Sequence, residues 1–153
     1  MMPLNFPTYQ FRTKQDNNRM LIFDDIRKKY VTLTPEEWVR QHLIHYLIAE
    51  KSYPITLISV ETPLIYDKMD KRSDVLIHDR NGLPLMLVEC KAPKVTITQK
   101  VFEQISIYNK TIQAPCLMIT NGIQHYCYTI TAEKSTACFL QEIPDYNDLM
   151  KMR

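Results

Sequence analysis

The spacing of hydrophobic positions changes near residue 52 from a helical period to a strand-like one. Before that point Val39, Leu43 and Leu47 recur at helical spacing, and Tyr46 lies on the same face. The preceding segment 34–37, Thr-Pro-Glu-Glu, offers a candidate cap, a proline suited to the first helical position and a glutamate that completes a capping box. The pattern predicts a first helix from residue 35 to about residue 51.

Beyond residue 52 the apolar residues form short runs, rich in β-branched side chains, that predict strands. The runs comprise residues 55–60 (continuing to about 66 with a bend), 73–79, 85–90, 115–120, 124–129 and 137–143. A second helical period, made by Val101, Ile105, Tyr108 and Ile112, predicts a helix over residues 96–112 with Thr98 as a candidate cap. The polar segment 67–71 and the two Asn-Gly dipeptides, at 81–82 and 121–122, predict turns.

This order of elements predicts an α/β fold, α-β-β-β-α-β-β, with a mixed central sheet flanked by helices. The chain has 153 residues, enough for one such domain with a sizeable core. We expect the core over residues 34–145 and a short polar tail over residues 146–153. Residues 1–33 contain two apolar patches, at 20–23 and 30–33, and are expected to form an arm that packs on the core.

Composition removes several classes of function. The chain has two glycines, Gly82 and Gly122, whereas phosphate-binding loops and dinucleotide fingerprints need closely spaced glycines. No apolar run approaches the roughly 18 residues of a membrane span. Residues 1–10 lack the pattern of a signal peptide. The net charge of +2 is too small to indicate a nucleic-acid partner by itself.

The four cysteines are Cys90, Cys116, Cys127 and Cys138, each in an apolar, strand-like context and none in a CxxC pair. Buried free thiols of a cytoplasmic protein are the favoured interpretation. A zinc site that combines Cys116, Cys127 and Cys138 with His125 is the alternative, although its spacing matches no familiar zinc pattern.

Two charged residues stand at the end of the apolar strand predicted over residues 85–90. Glu89 and Lys91 point to the same side of that strand and Cys90 to the other, since strand side chains alternate between faces. A two-residue turn at Asn81-Gly82 places Asp74 opposite Glu89, and opposed Cβ atoms lie roughly 4.5–5.5 Å apart. The hairpin therefore predicts a pair of facing carboxylates with a lysine beside them.

A four-residue loop over residues 80–83 gives the same pairing, whereas a β-bulge would shift it. The register also places Arg72 opposite Lys91. Facing carboxylates repel each other unless a cation binds between them, and Mg²⁺ with its oxygen ligands is suited to that place. The lysine could orient a water or neutralise developing charge. The alternative is a solvated edge hairpin in which Glu89 pairs with Arg72 or Lys91.

Three segments carry a resemblance to a known family: Lys71–Asp74, Val88–Pro93 and Glu103–Asn109. Together they resemble the PD-(D/E)xK nuclease superfamily, with Ser73 in place of the proline before Asp74. More closely, the stretch from Thr34–Gln41 to Thr120–Gly122 resembles the N-terminal domain of the type I restriction enzyme R subunit. The resemblance covers roughly residues 30–130 and implies a restriction-endonuclease-like core.

The resemblance implies a role for each matching residue. Asp74 and Glu89 correspond to the metal-binding acids, and Lys91 to the catalytic lysine of the signature triplet. Gln104 and Tyr108, neighbours at i and i+4 on the second helix, match a Gln-xxx-Tyr feature that organises the site or contacts DNA. The expected roles are catalytic for Asp74, Glu89, Lys91 and Gln104, substrate-binding for Tyr108 and Arg72, and metal-binding for Asp74, Glu89 and Glu37. Glu36 competes with Glu37 for the metal, since Glu37 could serve only the capping box.

The expected function is that of a bacterial, cytoplasmic deoxyribonuclease that hydrolyses DNA phosphodiesters with Mg²⁺ or Mn²⁺. The expected partners are DNA and other restriction or helicase subunits, since this chain holds no motor of its own, and a homodimer is compatible with the same site. No membrane partner is expected. The alternative from a different class is a nuclease-fold module that binds DNA or a partner protein without cleaving.

Overall fold

The chain forms a mixed six-stranded sheet flanked by helices, together with a separate three-stranded sheet. A computed structural model describes the backbone of residues 1–66, 69–131 and 136–153, and the side chains of these residues except those at 62–73 and 131. The helices are α1 (Pro35–Lys51), α2 (Gln99–Ile112) and α3 (Tyr146–Met150). The strands are β1 (Thr13–Asp16), β2 (Arg19–Asp24), β3 (Lys29–Thr32), β4 (Ile58–Tyr66), β5 (Met69–His78), β6 (Pro84–Cys90), β7 (Cys116–Thr120), β8 (His125–Thr131) and β9 (Thr136–Phe139).

The predicted fold class is confirmed. The large sheet has the order β4-β5-β6-β7-β8-β9, in which β6 and β7 are parallel and the other neighbouring pairs are antiparallel. The parallel pair is joined through α2, as a crossover between parallel strands requires. Both faces of β6 are therefore covered, which explains why its residues 85–88 form an unbroken buried apolar run.

The two long helices bury opposite sides of this sheet. Val39, Leu43 and Leu47 of α1 belong to one core cluster, together with Val75 and Val88 of the hairpin strands. A second cluster joins Val101, Ile105 and Tyr108 of α2 to Leu76 and Leu87. Because side chains alternate between the two faces of a strand, one half of those on β5 and β6 packs toward α1 and the other half toward α2. The Thr34 hydroxyl accepts a hydrogen bond from the Glu37 backbone N–H at 3.0 Å, so α1 begins at its predicted cap.

The β5–β6 hairpin has the predicted register beyond an unexpected loop. Val75 pairs with Val88 and Ile77 with Met86, as an Asn-Gly turn predicts, but His78 pairs with Pro84. The connection is therefore a five-residue loop, 79–83, rather than a tight turn, and Leu85 is the extra residue of a bulge. The Asp79 carboxylate accepts hydrogen bonds from the N–H groups of residues 81 and 83, both at 2.9 Å. The bulge offsets the odd loop length and so restores the expected pairing.

Residues 1–33 contain more regular structure than the sequence predicted. The two apolar patches became β2 and β3, and β1 completes an antiparallel meander. Asn17 and Asn18 join β1 to β2 with φ of 46° and 67°, the left-handed conformation that a two-residue hairpin turn needs. Asparagine tolerates this conformation better than most residues do. The Asn-Asn dipeptide was the overlooked signal.

Three further expectations need correction. The expected tail holds the short helix α3, whose Leu149 is fully buried and whose Asp145 carboxylate caps the Asp148 N–H at 2.8 Å. In the polar turn expected at 67–71, residues 69–71 belong to β5, while residues 67–68 lie outside the described residues. Cys138 is exposed on β9, although the other three cysteines are buried free thiols as predicted. In the part of the chain that is described, no helix is both long and apolar enough to cross a membrane.

Candidate active site

The hairpin strands bring Asp74 and Glu89 together where β6 ends. Continuing the Val75–Val88 register by one residue places the two carboxylates side by side. One oxygen of Asp74 accepts a hydrogen bond from the Cys90 backbone N–H at 2.7 Å. This bond holds the Asp74 carboxylate against the strand that carries Glu89. The facing carboxylates predicted from the sequence are therefore neighbours.

Glu89 is a mostly buried acid in an unfavourable electrostatic position. Its side chain is 14% exposed, and its carboxylate lies 3.3 Å from the Lys91 ammonium group. Burial, followed by the charge of Asp74, raises the pKa of Glu89 to about 7, and Lys91 only partly offsets these effects. A carboxyl group with such a pKa changes its charge near neutral pH, and a second cation beside it would favour the ionised form.

The other oxygen of Asp74 is bound by Arg40, which comes from α1. The guanidinium group lies 3.1 Å from Asp74 and 2.6 Å from Glu37, and the Arg40 side chain is only 4% exposed. Helix α1 and the hairpin are thus joined by a buried ion-pair network at the site. Sequence reasoning missed Arg40, although its position three residues after Glu37 and four after Glu36 indicated contact with both acids.

The two candidate glutamates of α1 have different surroundings. The carboxylate of Glu37 is held by Arg40, by the guanidinium group of Arg27 at 2.8 Å and by the Gln41 amide at 3.0 Å. Glu36 has a longer contact with Arg40, 3.4 Å, and its side chain is 43% exposed. Burial and the charge of Asp74 raise the pKa of Glu36. Glu37 is therefore held firmly in the arginine network, whereas Glu36 is more exposed and shares Arg40 with Asp74.

Arg27 connects this network to the small sheet. Its guanidinium group lies 2.6 Å from Asp24, 2.8 Å from Glu37 and 3.2 Å from Glu61. Asp24 ends β2 and Glu61 lies on β4, so a single side chain joins the N-terminal meander, α1 and the large sheet. Of these three acids, only Asp24, three residues earlier, is near Arg27 in sequence; its contacts with Glu37 and Glu61 could not be recognised from spacing.

Gln104 and Tyr108 are joined as their spacing predicts. The Gln104 side-chain amide donates a hydrogen bond to the Tyr108 hydroxyl at 2.8 Å. Tyr108 is buried against the face of β6 that carries Leu87, and Glu89 is the next residue on that face. Their helix therefore covers the strand face that leads to the site. Arg72 lies in β5, but its side chain is outside the described residues.

Comparison with known proteins identifies the family of the chain. The sequence pattern of the family "Type I restriction enzyme R protein N terminus (HSDR_N)" matches residues 35–144, which is most of the chain. The chain belongs to this family. The match includes every residue of the candidate site from Glu36 to Tyr108.

The fold of the chain is also similar to that of a solved structure. The chain resembles a solved structure described as "the fragment structure of a putative HsdR subunit of a type I restriction enzyme from Vibrio vulnificus YJ016". The TM-score is 0.57 at 19% sequence identity, and the alignment covers 78% of this chain and 25% of that chain. This chain therefore spans about a quarter of the length of that protein. No curated protein matches the sequence.

The donor chemistry of the R-subunit site fits a hard divalent cation. Mg²⁺ is commonly held by one or two protein carboxylates together with substrate phosphates and waters, and it does not need a cage of protein ligands. Asp74 and Glu89 supply such a pair, and burial together with the charge of Asp74 raises the pKa of Glu89, so a bound cation would favour its ionised form. Among the described residues there is no group of three or more His, Cys, Asp or Glu side chains placed to hold a metal. The fit is to a two-carboxylate site.

We expect Glu89 to make the stability of the metal-free protein depend on pH. Because the pKa of Glu89 rises from 4.5 to about 7 on folding, the folded state holds the proton more tightly, and stability falls as pH rises between these values. Glu89→Gln removes this cost. The difference in free energy of unfolding between the Glu89→Gln variant and wild type should therefore shift in favour of the variant by roughly 1–3 kcal/mol between pH 4.5 and pH 8.

Urea denaturation in EDTA at several pH values measures this difference. Glu142→Gln removes one negative charge, as Glu89→Gln does, but at an exposed position. It serves as the control and should show no such trend. A Glu89→Gln difference that stays constant with pH would contradict a raised Glu89 pKa.

Proposed function

We propose that the chain is a metal-dependent deoxyribonuclease domain of the PD-(D/E)xK type, acting with Mg²⁺ or Mn²⁺. The observation that carries the proposal is the mostly buried Glu89 carboxylate, placed beside Asp74 and 3.3 Å from Lys91 at a strand end. Two acids and a lysine on one strand pair form a minimal set for metal-assisted hydrolysis of a phosphodiester. Membership of the R-subunit N-terminal family supports DNA as the substrate.

Each residue has a task in this proposal. Asp74 and Glu89 would hold the cation, and Glu36 would act on the site through Arg40, which it shares with Asp74. When bound, the cation would withdraw negative charge from the phosphate oxygens. The Lys91 ammonium group, next along the strand face, would orient the attacking water or neutralise charge that develops on the phosphate.

Gln104 and Tyr108 would support the substrate from α2, and Arg72 would contact it from β5. The hydrogen bond from the Gln104 amide leaves the Tyr108 hydroxyl hydrogen free to meet a phosphate oxygen. We also propose that the domain acts in a cytoplasmic restriction complex with other subunits, because its family is that of the type I restriction enzyme R protein N terminus.

Metal binding is the first test of the proposal. Calorimetric titration of the chain with Mn²⁺ and Mg²⁺ at pH 8, where Glu89 is ionised, should give one binding event per chain. Asp74→Asn and Glu89→Gln should abolish it, and Glu36→Gln should weaken it by about tenfold, as expected when a group that helps to orient a ligand is lost. Glu142→Gln should leave it unchanged. The wild type should also cut single-stranded or duplex DNA in the presence of the metal and stop on addition of EDTA.

A non-catalytic binding module is the second candidate, and the Arg40–Asp74 contact of 3.1 Å favours it. Here the arginine would act as a permanent counter-ion in place of a metal. Such a module needs no affinity for divalent cations. A calorimetric titration without measurable heat at millimolar Mn²⁺ would therefore support it against the nuclease.

A further inference from the structure

An apolar pocket of about 280 Å³ lies beside the proposed nuclease site. Its walls include Pro35 and Trp38 of α1 and the segment 92–94, Ala-Pro-Lys, that follows β6. Pro35 precedes Glu36 and Ala92 follows Lys91, so both walls are chain continuations of site residues. Met1 and Met2 close the remaining side. The pocket and the carboxylates thus share two supporting segments.

The Trp38 indole forms a rigid wall of this pocket. Its ring lies 4.3 Å from the His42 ring and 5.4 Å from the Phe11 ring, measured between centroids. The indole N–H donates to the Met2 carbonyl oxygen at 3.1 Å. These contacts fix the ring from one side, and the pocket lies along another side. A ligand can therefore stack on Trp38 without paying to order the side chain.

The lining matches a nucleobase better than any other part of DNA. Bases present flat π-faces that stack on aromatic side chains with little dependence on sequence. Lys94 stands exposed at the rim, and no hydrogen bond or ion pair engages its ammonium group within the described part of the chain. Proteins that bind single-stranded nucleic acid combine aromatic side chains, on which bases stack, with basic side chains that pair with phosphates. Trp38 and Lys94 provide this combination here.

We propose that this pocket receives an unpaired nucleobase next to the phosphate that lies at Asp74 and Glu89, with the base stacked on Trp38 and the following phosphate paired with Lys94. This inference rests on the proposed nuclease function and names its substrate class. A base in a continuous duplex is stacked and paired, so it must be flipped out or already unpaired to enter a pocket. The preferred substrate is single-stranded DNA or an unpaired region of duplex DNA.

The fluorescence of Trp38 reports on the pocket directly, because it is the chain's single tryptophan. The titration uses Glu89→Gln in EDTA, so neither metal nor cleavage contributes, and the untagged chain keeps the Met1 side of the pocket intact. An oligonucleotide of thymidines should quench the emission with saturation. An abasic oligonucleotide of the same length carries the same phosphates and should not quench. A hairpin duplex with every base paired should not quench either.

Two variants separate the base contact from the phosphate contact. Trp38→Leu keeps the pocket apolar but removes the ring, and should weaken binding of a fluorescein-labelled thymidine oligonucleotide by roughly tenfold. Lys94→Gln should weaken binding and reduce its salt dependence. Lys151→Gln is the matched control, because Lys151 lies near the opposite end of β6 from Lys94. Its neighbour Arg153 donates a hydrogen bond to the Pro84 carbonyl, where β6 starts, whereas Lys94 follows the end of that strand. The control should bind the oligonucleotide as wild type does.

The outcomes distinguish this inference from the proposed function. Equal quenching by abasic and normal oligonucleotides, or none by either, overturns the base pocket even if the wild type cuts DNA. Saturable, base-dependent quenching supports the pocket even if the wild type shows no cleavage with Mg²⁺ or Mn²⁺, a result that would overturn only the nuclease. Quenching by the fully paired duplex as strong as by the single strand also overturns the inference.

Discussion

Lys91→Met is expected to lower the rate of metal-dependent DNA cleavage by about 10²–10⁴-fold, the range typical for loss of a group that handles protons or charge in the transition state. Methionine keeps the apolar stem of Lys91, whose side chain is only 23% exposed, so the fold should be retained. Single-turnover cleavage of labelled DNA at saturating Mn²⁺ measures the effect on the chemical step alone.

Metal binding by Lys91→Met shows whether the loss is catalytic. Without the ammonium group 3.3 Å away, the Glu89 carboxyl becomes harder to ionise, so the calorimetric titration is done above neutral pH. There the variant should bind Mn²⁺ about as well as wild type. Lys151→Met, which changes charge at an exposed position, should cut DNA at the wild-type rate. Undiminished cleavage by Lys91→Met would remove Lys91 from the catalytic group.

Arg40→Leu is expected to lower the free energy of unfolding by about 3–5 kcal/mol, the usual cost of breaking a buried ion pair by removing one partner. The leucine leaves Glu37, whose side chain is 6% exposed, and Asp74 without the guanidinium group that lies within 3.1 Å of both. Urea denaturation in EDTA at pH 8, followed by Trp38 fluorescence, measures the loss.

Two variants frame the Arg40 result. Arg40→Lys should recover only part of the stability, because one ammonium group lacks the fork that reaches two carboxylates at once. Lys151→Met breaks the exposed pair with Asp148, in which both side chains are more than half exposed, and should cost less than about 0.5 kcal/mol. A loss near the Lys151→Met value for Arg40→Leu would show that the network is not required for folding.

Local sequence signals correctly predicted most elements of the six-stranded sheet and its two long helices. The cap at Thr34, the helical periods and the β-branched runs act over a few residues, so they can be recognised without knowing the fold. The same signals failed where local structure depends on distant partners. Helix α3 is only five residues long and is stabilised by Leu149 in the core and by the Tyr146 hydroxyl, which donates to the His78 carbonyl at 2.9 Å.

The hairpin shows how a correct pairing can follow from an incomplete premise. An Asn-Gly turn predicted Asp74 beside Glu89, but Asp79 instead organises a longer loop around Gly82, whose φ is +83°. A bulge at Leu85 then restores the register. The pairing was decided by the faces of the strands, because a shift of one residue would move Val75 and Val88 out of the core.

By itself, the sequence determined the two long helices, the strand pairing that joins Asp74 to Glu89, the Lys91 neighbour and the Gln104–Tyr108 pair, since all of these depend on spacing within one element or one hairpin. Only the tertiary structure decided how the two glutamates of α1 are surrounded. Thr34 caps α1 at Glu37, but the contact of Glu37 with Arg27 and the contact of Arg40 with Asp74 both depend on other elements. Charge partners distant in sequence leave no periodic signal, because their contact exists only after the sheet and helix have packed.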